Sequence, residues 1–275
     1  YNKELEFNML DKSTFNEGLS VITRRLSLDD KLINARHNLR DFNEYIYNEV
    51  NNIHHIELCN ALDSWEDVCA ILPRNSSKTT IASTRYPAYR IGQDRGLRII
   101  VASHTATMAE SFLRSIDSIF NNDKFITLFG NLIPRLKEQN YKWNETEKIV
   151  SHRPDYNSLG YRIDAKDLSL FAIGVGGAIV GKRADIIILD DIIDRRDTKT
   201  EGQITDIKHW LNEEVKGARH PDTQMIYVGT RWNIKDIYID TISKMVSSGA
   251  DIIGNMQKEI GDQIYSYNTL NNSSI

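Results

Sequence analysis

Four short, almost uninterrupted apolar runs constrain this chain most: Val68-Cys69-Ala70-Ile71-Leu72, Leu97-Arg98-Ile99-Ile100-Val101-Ala102, Ile186-Ile187-Ile188-Leu189 and Met225-Ile226-Tyr227-Val228. A strand apolar at successive positions is buried on both faces, and helices are what usually cover it. After the second run, Ala109, Phe112, Leu113, Ile116, Ile119 and Phe120 recur at helical spacing, which predicts an amphipathic helix. Strands alternating with helices predict an α/β fold with a mostly parallel central sheet flanked by helices. Ligands of such sheets bind outside the carboxyl ends of the strands, so the residues that follow each run carry the functional information.

The 275 residues suffice for one large α/β domain or two small ones. Residues 1–60 are polar with helical apolar spacing; Leu39, Phe42 and Ile46 fall on one face, so a helical lead-in is expected rather than a separate domain. The catalytic domain is expected over 61–250, with 251–275 a tail or linker. No apolar run approaches the roughly 18 residues of a membrane-spanning helix, and the start, Tyr1-Asn2-Lys3-Glu4-Leu5-Glu6, lacks the apolar core of a signal peptide. Beginning on Tyr1 rather than Met, the chain has the look of a fragment. Cys59 and Cys69 lie in apolar runs without metal-ligand spacing; reduced core thiols of a cytoplasmic protein are expected, a disulfide being the alternative. The formal net charge of −4 argues against a constitutive nucleic-acid clamp, though not against transient grip by a few loop residues.

After the first run comes Pro73-Arg74-Asn75-Ser76-Ser77-Lys78-Thr79-Thr80, then Ile81-Ala82-Ser83 with helical character. A phosphate loop needs a strand, a tight loop, a lysine for the terminal phosphates and a hydroxyl at a helix start for magnesium. Lys78 and Thr79 fit the last two roles. The standard spelling puts glycines at positions 72 and 77, where this chain has Leu72 and Ser77. Alone, the match is weak and the segment reads more readily as a polar surface turn with a solvated lysine. After the third run come Asp190 and Asp191, the Walker B arrangement: the first acid holds the magnesium shell, the second orients or deprotonates the attacking water. Alone, this pair is equally a helix N-cap beside a solvated acid. Together, in this order and with strand and helix between, the two motifs point to a phosphate-binding ATPase.

The run Gly174-Val175-Gly176-Gly177-Ala178-Ile179-Val180-Gly181-Lys182-Arg183 leads straight into an apolar strand, which excludes a dinucleotide-binding loop, since that opens a helix. A turn ending in Lys182 and Arg183 could present a cation to a phosphate on this subunit or a neighbour, or be a glycine hairpin with solvated basic tips. After the fourth run, Gly229-Thr230-Arg231-Trp232 puts a small polar residue where a γ-phosphate is sensed; Trp232 is equally ordinary packing.

These segments resemble the terminase large subunits of tailed phages. Pro73 to Thr80 is similar to their degenerate Walker A loop, Gly176 to Asp191 to the segment that leads into Walker B, and Gly229 to Trp232 to the coupling motif. With the strand and helix from Leu97 to Phe120 and the helical lead-in, the resemblance covers roughly residues 38–245. It implies a P-loop NTPase of the additional-strand, catalytic-acid (ASCE, RecA-like) type. It implies hydrolysis of ATP with Mg2+, coupled to translocation of double-stranded DNA into a procapsid in the host cytoplasm. The implied partners are DNA, a small terminase subunit, a portal protein and further copies in a ring, with no membrane.

Carried onto this sequence, the resemblance gives Pro73, Arg74, Asn75, Ser76, Ser77, Lys78, Thr79 and Thr80 to nucleotide, and Thr79 and Asp190 to the metal. Lys78, Arg74, Asp191, Thr230 and a trans-acting finger at Arg183 (Lys182 next) would serve catalysis. Two positions depart from the family pattern: Asn75 stands where glycine is usual, and Asp191 is shorter than the common glutamate. The family's nuclease half has no counterpart in the tail from Met256 to Ile275, so no DNA cleavage is expected of this chain. The competing readings are another DNA-dependent ATPase or helicase, and a non-catalytic prophage remnant.

Overall fold

The computed structural model describes residues 28–135, 142–193 and 201–230, together with three short strands between 251 and 267. Helices α1 (28–37), α2 (Leu39–Tyr47) and α3 (Ile53–Asp63) precede strand β1 (Val68–Ile71). A helix then starts at Lys78, passes through a π-helical turn (Thr80–Arg85) and continues as α4 (Tyr86–Gln93). Next come β2 (Ile99–Ser103), α5 (Ala106–Phe120), α6 (Asp123–Phe129), β3 (Glu147–Lys148), β4 (Leu170–Gly174) and β5 (Ile186–Asp190). They are followed by α7 (Glu201–Trp210) with a π-helical turn (Leu211–Val215), β6 (Gln224–Gly229), β7 (Asp251–Ile253), β8 (Met256–Ile260) and β9 (Gln263–Tyr267).

Seven strands form one sheet in the order β3-β4-β2-β5-β6-β1-β7, while β8 and β9 pair as a separate antiparallel hairpin. Among the described strands of the large sheet only β3 runs antiparallel, against β4; the other neighbours are parallel. The four expected runs are thus β1, β2, β5 and β6. Three members of the sheet lie outside them: the two-residue β3 pairs with β4. β4 precedes the glycine run, and β7 falls beyond residue 250, where a tail was expected, and pairs with β1. It covers the backbone donors and acceptors that β1 would otherwise present as a bare edge.

Alternation along β5 assigns the two layers. Ile186 and Ile188 join the core formed with α2, α3, α4, α5 and α6, whereas Ile187 and Leu189 join the core under α7. The whole strand is buried, and each such side chain withdrawn from water contributes about 1.5–3 kcal/mol. Leu39, Phe42, Leu58 and Leu62 of the lead-in share the first core with Val68 and Ala70 of β1, so the helices before β1 pack as part of the same unit. The expected apolar face of α5, from Ala109 to Phe120, is buried as a set. Gly174 closes β4 where the chain meets α5: a Cβ there would lie 2.5 Å from the Ala106 nitrogen. Cys59 and Cys69 are both buried thiols, and burial pushes the Cys59 thiol up to about 12. Among the described residues no helix is long and apolar enough to cross a membrane.

Candidate functional site

Parallel strands bring the segment after β1, the end of β5 and the end of β6 to one edge of the sheet. The loop from Pro73 to Ser77 makes a tight turn and Lys78 starts the helix. Asn75 and Ser77 have φ of 64° and 59°, the left-handed region that glycine enters without cost and other residues at about 1–2 kcal/mol. The loop therefore keeps a glycine-like backbone without glycine. Ser77 left-handed and Lys78 helical is a conformational pair of the kind that turns successive N–H groups toward an anion. Leu72 N–H donates to the Gly229 carbonyl at 3.2 Å and Ile81 N–H to the Ser77 carbonyl at 2.9 Å, which ties both ends of the loop. Pro73, Arg74, Asn75, Ser77 and Thr80 are exposed, Thr79 half-buried, and Ser76 and Lys78 buried.

Asp190 shares strand parity with Ile186 and Ile188, so it points to the α4 side of the sheet. There Thr79 Oγ1 donates to Asp190 Oδ1 at 3.1 Å, and Ser83 Oγ donates to Asp190 Oδ2. Thr79 and Ser83 are one helical turn apart, and the π-helical turn spans the segment between and beyond them. Burial pushes the Asp190 carboxyl up to about 7; the Ser83 and Thr79 hydroxyls and the charge of Lys78 pull it down, while the charge of Asp191 adds to the rise.

Asp191 has φ 41°, held by its own N–H on the Val228 carbonyl at 2.8 Å. Its Oδ1 accepts from the Thr230 N–H at 3.0 Å. The expected second acid and the expected sensor residue are therefore in direct contact. Ser103, the register partner of Asp190 on β2, is fully buried. The hydroxyls of Ser76, Ser103 and Thr230 are buried without a hydrogen-bond partner.

Sequence reasoning did not find Ser83, Ser103 or His55. Ser83 had a signal, its spacing of one helical turn from Thr79. Ser103 had one in closing the second apolar run. His55 had none, because its contact with the loop, Nε2 to the Ser76 carbonyl at 3.2 Å, depends on how α3 packs.

The basic pair after the glycine run lies elsewhere. Arg183 and Lys182 precede β5, so they sit at the opposite edge of the sheet, roughly 16 Å of strand away from Asp190. Arg183 Nη2 pairs with Asp164 Oδ2 at 2.6 Å and Asp167 Oδ2 at 3.0 Å, not with Asp185. Asp185 is taken by Arg98, through Nη2 at 2.7 Å and Nε at 2.9 Å. Lys182 Nζ reaches Glu147 Oε1 at 3.2 Å and lies over the Phe171 ring. Arg231 and Trp232 lie outside the described residues. Among the described residues no group of three or more His, Cys, Asp or Glu side chains could hold a metal by itself. Compared with known protein families and with curated proteins, the sequence matches none.

Proposed function

We propose that this chain is an ATPase of the additional-strand, catalytic-acid P-loop class and the motor domain of a phage DNA-packaging terminase. The observation that carries the ATPase reading is the joining of Thr79 to Asp190, hydroxyl to carboxylate, across 111 residues of sequence. The strand order supports the class: β6 lies between the phosphate-loop strand β1 and the acid-bearing strand β5, which is the added strand that gives the class its name. The terminase assignment rests on the resemblance of the motifs.

The residues fit magnesium and nucleotide. Thr79 and Asp190 would hold the metal, and such an ion takes few protein ligands because phosphate oxygens and water complete its shell. Lys78 and the backbone from Asn75 to Thr79 would hold phosphates, and the partnerless hydroxyls at this edge are donors suited to an anionic ligand. The bound metal supplies charge neutralisation on the phosphates. Asp191 would accept a proton from an attacking water or orient it, and the Thr230 N–H donates to that carboxylate at 3.0 Å. Against the remnant reading, Asn75 and Ser77 take a left-handed backbone without glycine.

The test is phosphate release from Mg-ATP, with and without double-stranded DNA and a small terminase subunit, for the wild type and Lys78→Ala. Lys78→Ala removes a charge from the terminal phosphates and should lower turnover by a hundredfold or more, about 3 kcal/mol. Turnover within about threefold of wild type would reject the phosphate-loop assignment. Hydrolysis that responds to DNA but brings strand separation on a forked duplex would favour a helicase instead.

A further inference from the structure

We propose that His55 is the positioning residue of the phosphate loop, holding through the Ser76 carbonyl a backbone that glycine would otherwise have made easy; this rests on the ATPase reading. His55 stands in the first turn of α3. Its Nδ1 accepts from the Asn52 N–H at 3.4 Å. That leaves the proton on Nε2, which donates to the Ser76 carbonyl at 3.2 Å. Burial, together with the neighbouring His54 ring, holds the imidazole pKa below its ordinary value and favours this neutral form.

Ser76 is the residue between the two left-handed positions, Asn75 and Ser77. Its carbonyl belongs to the peptide plane that ends in the Ser77 N–H. In a trans peptide the C=O and the following N–H point in opposite directions. Fixing the Ser76 carbonyl toward α3 therefore turns the Ser77 N–H away from α3 and fixes its direction. A non-glycine residue in the left-handed region persists only where its surroundings over-determine it. The loop ends are tied by Leu72 and Ile81, and His55 supplies the tie in the middle. It also links the order of the loop to the docking of the lead-in helices.

The experiment compares wild type, His55→Ala, His55→Gln, Ser77→Gly and the double variant His55→Ala/Ser77→Gly. Amide hydrogen exchange over the segment 72–80 is followed without nucleotide, and the Kd for Mg-ATP is titrated on the same proteins. His55→Ala should exchange faster in this segment than wild type, with the β2 and β5 segments unchanged, and should bind Mg-ATP about tenfold more weakly, 1.4 kcal/mol. His55→Gln, which keeps an N–H donor, should recover part of both. In the Ser77→Gly background the loss from His55→Ala should shrink to under threefold, since glycine takes the left-handed conformation unaided. Unchanged exchange in His55→Ala, or an equal loss of affinity in both backgrounds, overturns the proposal. If the wild type does not bind Mg-ATP, the ATPase reading fails and the proposal fails with it. If the wild type binds but exchange and affinity ignore His55, only the positioning role fails.

Discussion

Thr79 Oγ1 donates to Asp190 Oδ1 at 3.1 Å, and this contact brings the start of one helix to the end of a strand 111 residues later. It needs three things at once. The strand β1 must deliver the loop to the carboxyl edge of the sheet. The parity of β5 must aim its last residue to the α4 side. Thr79 must fall in the first turn of the helix, where its hydroxyl faces the sheet. Ser83 completes the arrangement from the next turn.

The first consequence concerns pH. Asp190 is buried and its carboxyl is raised from 3.8 to about 7. A raised carboxyl means that the folded state disfavours the ion. Its contribution is therefore absent at low pH and opposes folding increasingly as pH rises from the unfolded value to the folded one. Asp190→Asn should accordingly raise the melting temperature of the nucleotide-free protein by several degrees at about pH 8 and by much less near about pH 4. The same variant should lose magnesium-dependent nucleotide affinity. A melting temperature that rises equally at both pH values would show that ionisation of Asp190 is not the cause.

The second concerns the division of roles at the site. Asp191→Asn keeps the side-chain oxygen that accepts from the Thr230 N–H but removes the base, so Mg-nucleotide affinity should stay within about threefold while single-turnover hydrolysis falls a hundredfold or more. Thr230 offers a buried hydroxyl without a partner. Thr230→Val should slow hydrolysis by about tenfold or more, the worth of a hydrogen bond to a charged group, and Thr230→Ser should restore it. Equal effects of Asp190→Asn and Asp191→Asn on affinity would reject this assignment of roles.

Much of this site was legible because it is written in local terms. A continuous apolar run followed by Lys-Thr, or by Asp-Asp, states both a strand and what hangs from its end. The backbone of the loop was less legible. Absent glycines suggested a weakened site, yet Asn75 and Ser77 enter the left-handed region, and what holds them includes His55, a long-range contact with no pattern in sequence. β3 and β7 escaped for a related reason. Two residues of β3, or three of β7, carry no periodicity, and membership in the sheet comes from pairing with β4 and β1. β4, with the apolar run Leu170-Phe171-Ala172-Ile173, carried the same signal as the other strands and was passed over. The position of Arg183 was hidden as well. The glycine run left open a turn that presents it to a phosphate or a hairpin with solvated basic tips, whereas its guanidinium is engaged by Asp164 and Asp167.

The third prediction separates folding from function. Asp185 is fully buried and accepts from Arg98 at Nε and Nη2, from the Arg98 N–H, and from Asn157. Burial alone would raise its carboxyl, but the hydrogen bonds and charge of Arg98, with a further bond from His220, outweigh burial and hold it below the usual value. With the folded value depressed, the contribution is present above the unfolded value and lost as pH falls through the folded one. Asp185→Ala strips the buried Arg98 charge of its closest partner and leaves it only Asp167 at 3.6 Å, which costs up to about 3–5 kcal/mol, and the melting temperature should fall by roughly 10 °C near neutral pH. Because this pair lies at the edge opposite the phosphate loop, the Kd for Mg-ATP below the transition should hold within about threefold. A large change in affinity with no loss of stability would contradict the separation.

The last prediction concerns Arg183, proposed as a finger that acts on a neighbouring subunit. Its place before β5 puts it at the far edge of the sheet from its own phosphate loop, so it cannot serve its own site. Any role at a phosphate must therefore be played in trans, across an interface between copies. Its side chain is 48% exposed, and its pair with the partly exposed Asp164 is worth about 0–1 kcal/mol; Asp167 is buried but keeps Arg98 at 3.6 Å when Arg183 leaves, so release toward an anionic partner is limited in cost. Arginine suits that partner because its planar fork engages two phosphate oxygens together, and a cation supplied in trans stabilises charge on the transferring phosphoryl group. Arg183→Ala should fold with an unchanged melting temperature and bind Mg-ATP normally, yet lose DNA-stimulated hydrolysis under assembling conditions. Mixed with Lys78→Ala, which keeps Arg183, it should regain hydrolysis that neither variant shows alone, since each supplies what the other lacks. Full activity of Arg183→Ala by itself, or no recovery on mixing, rejects the trans role and leaves the residue as a surface partner of Asp164 and Asp167.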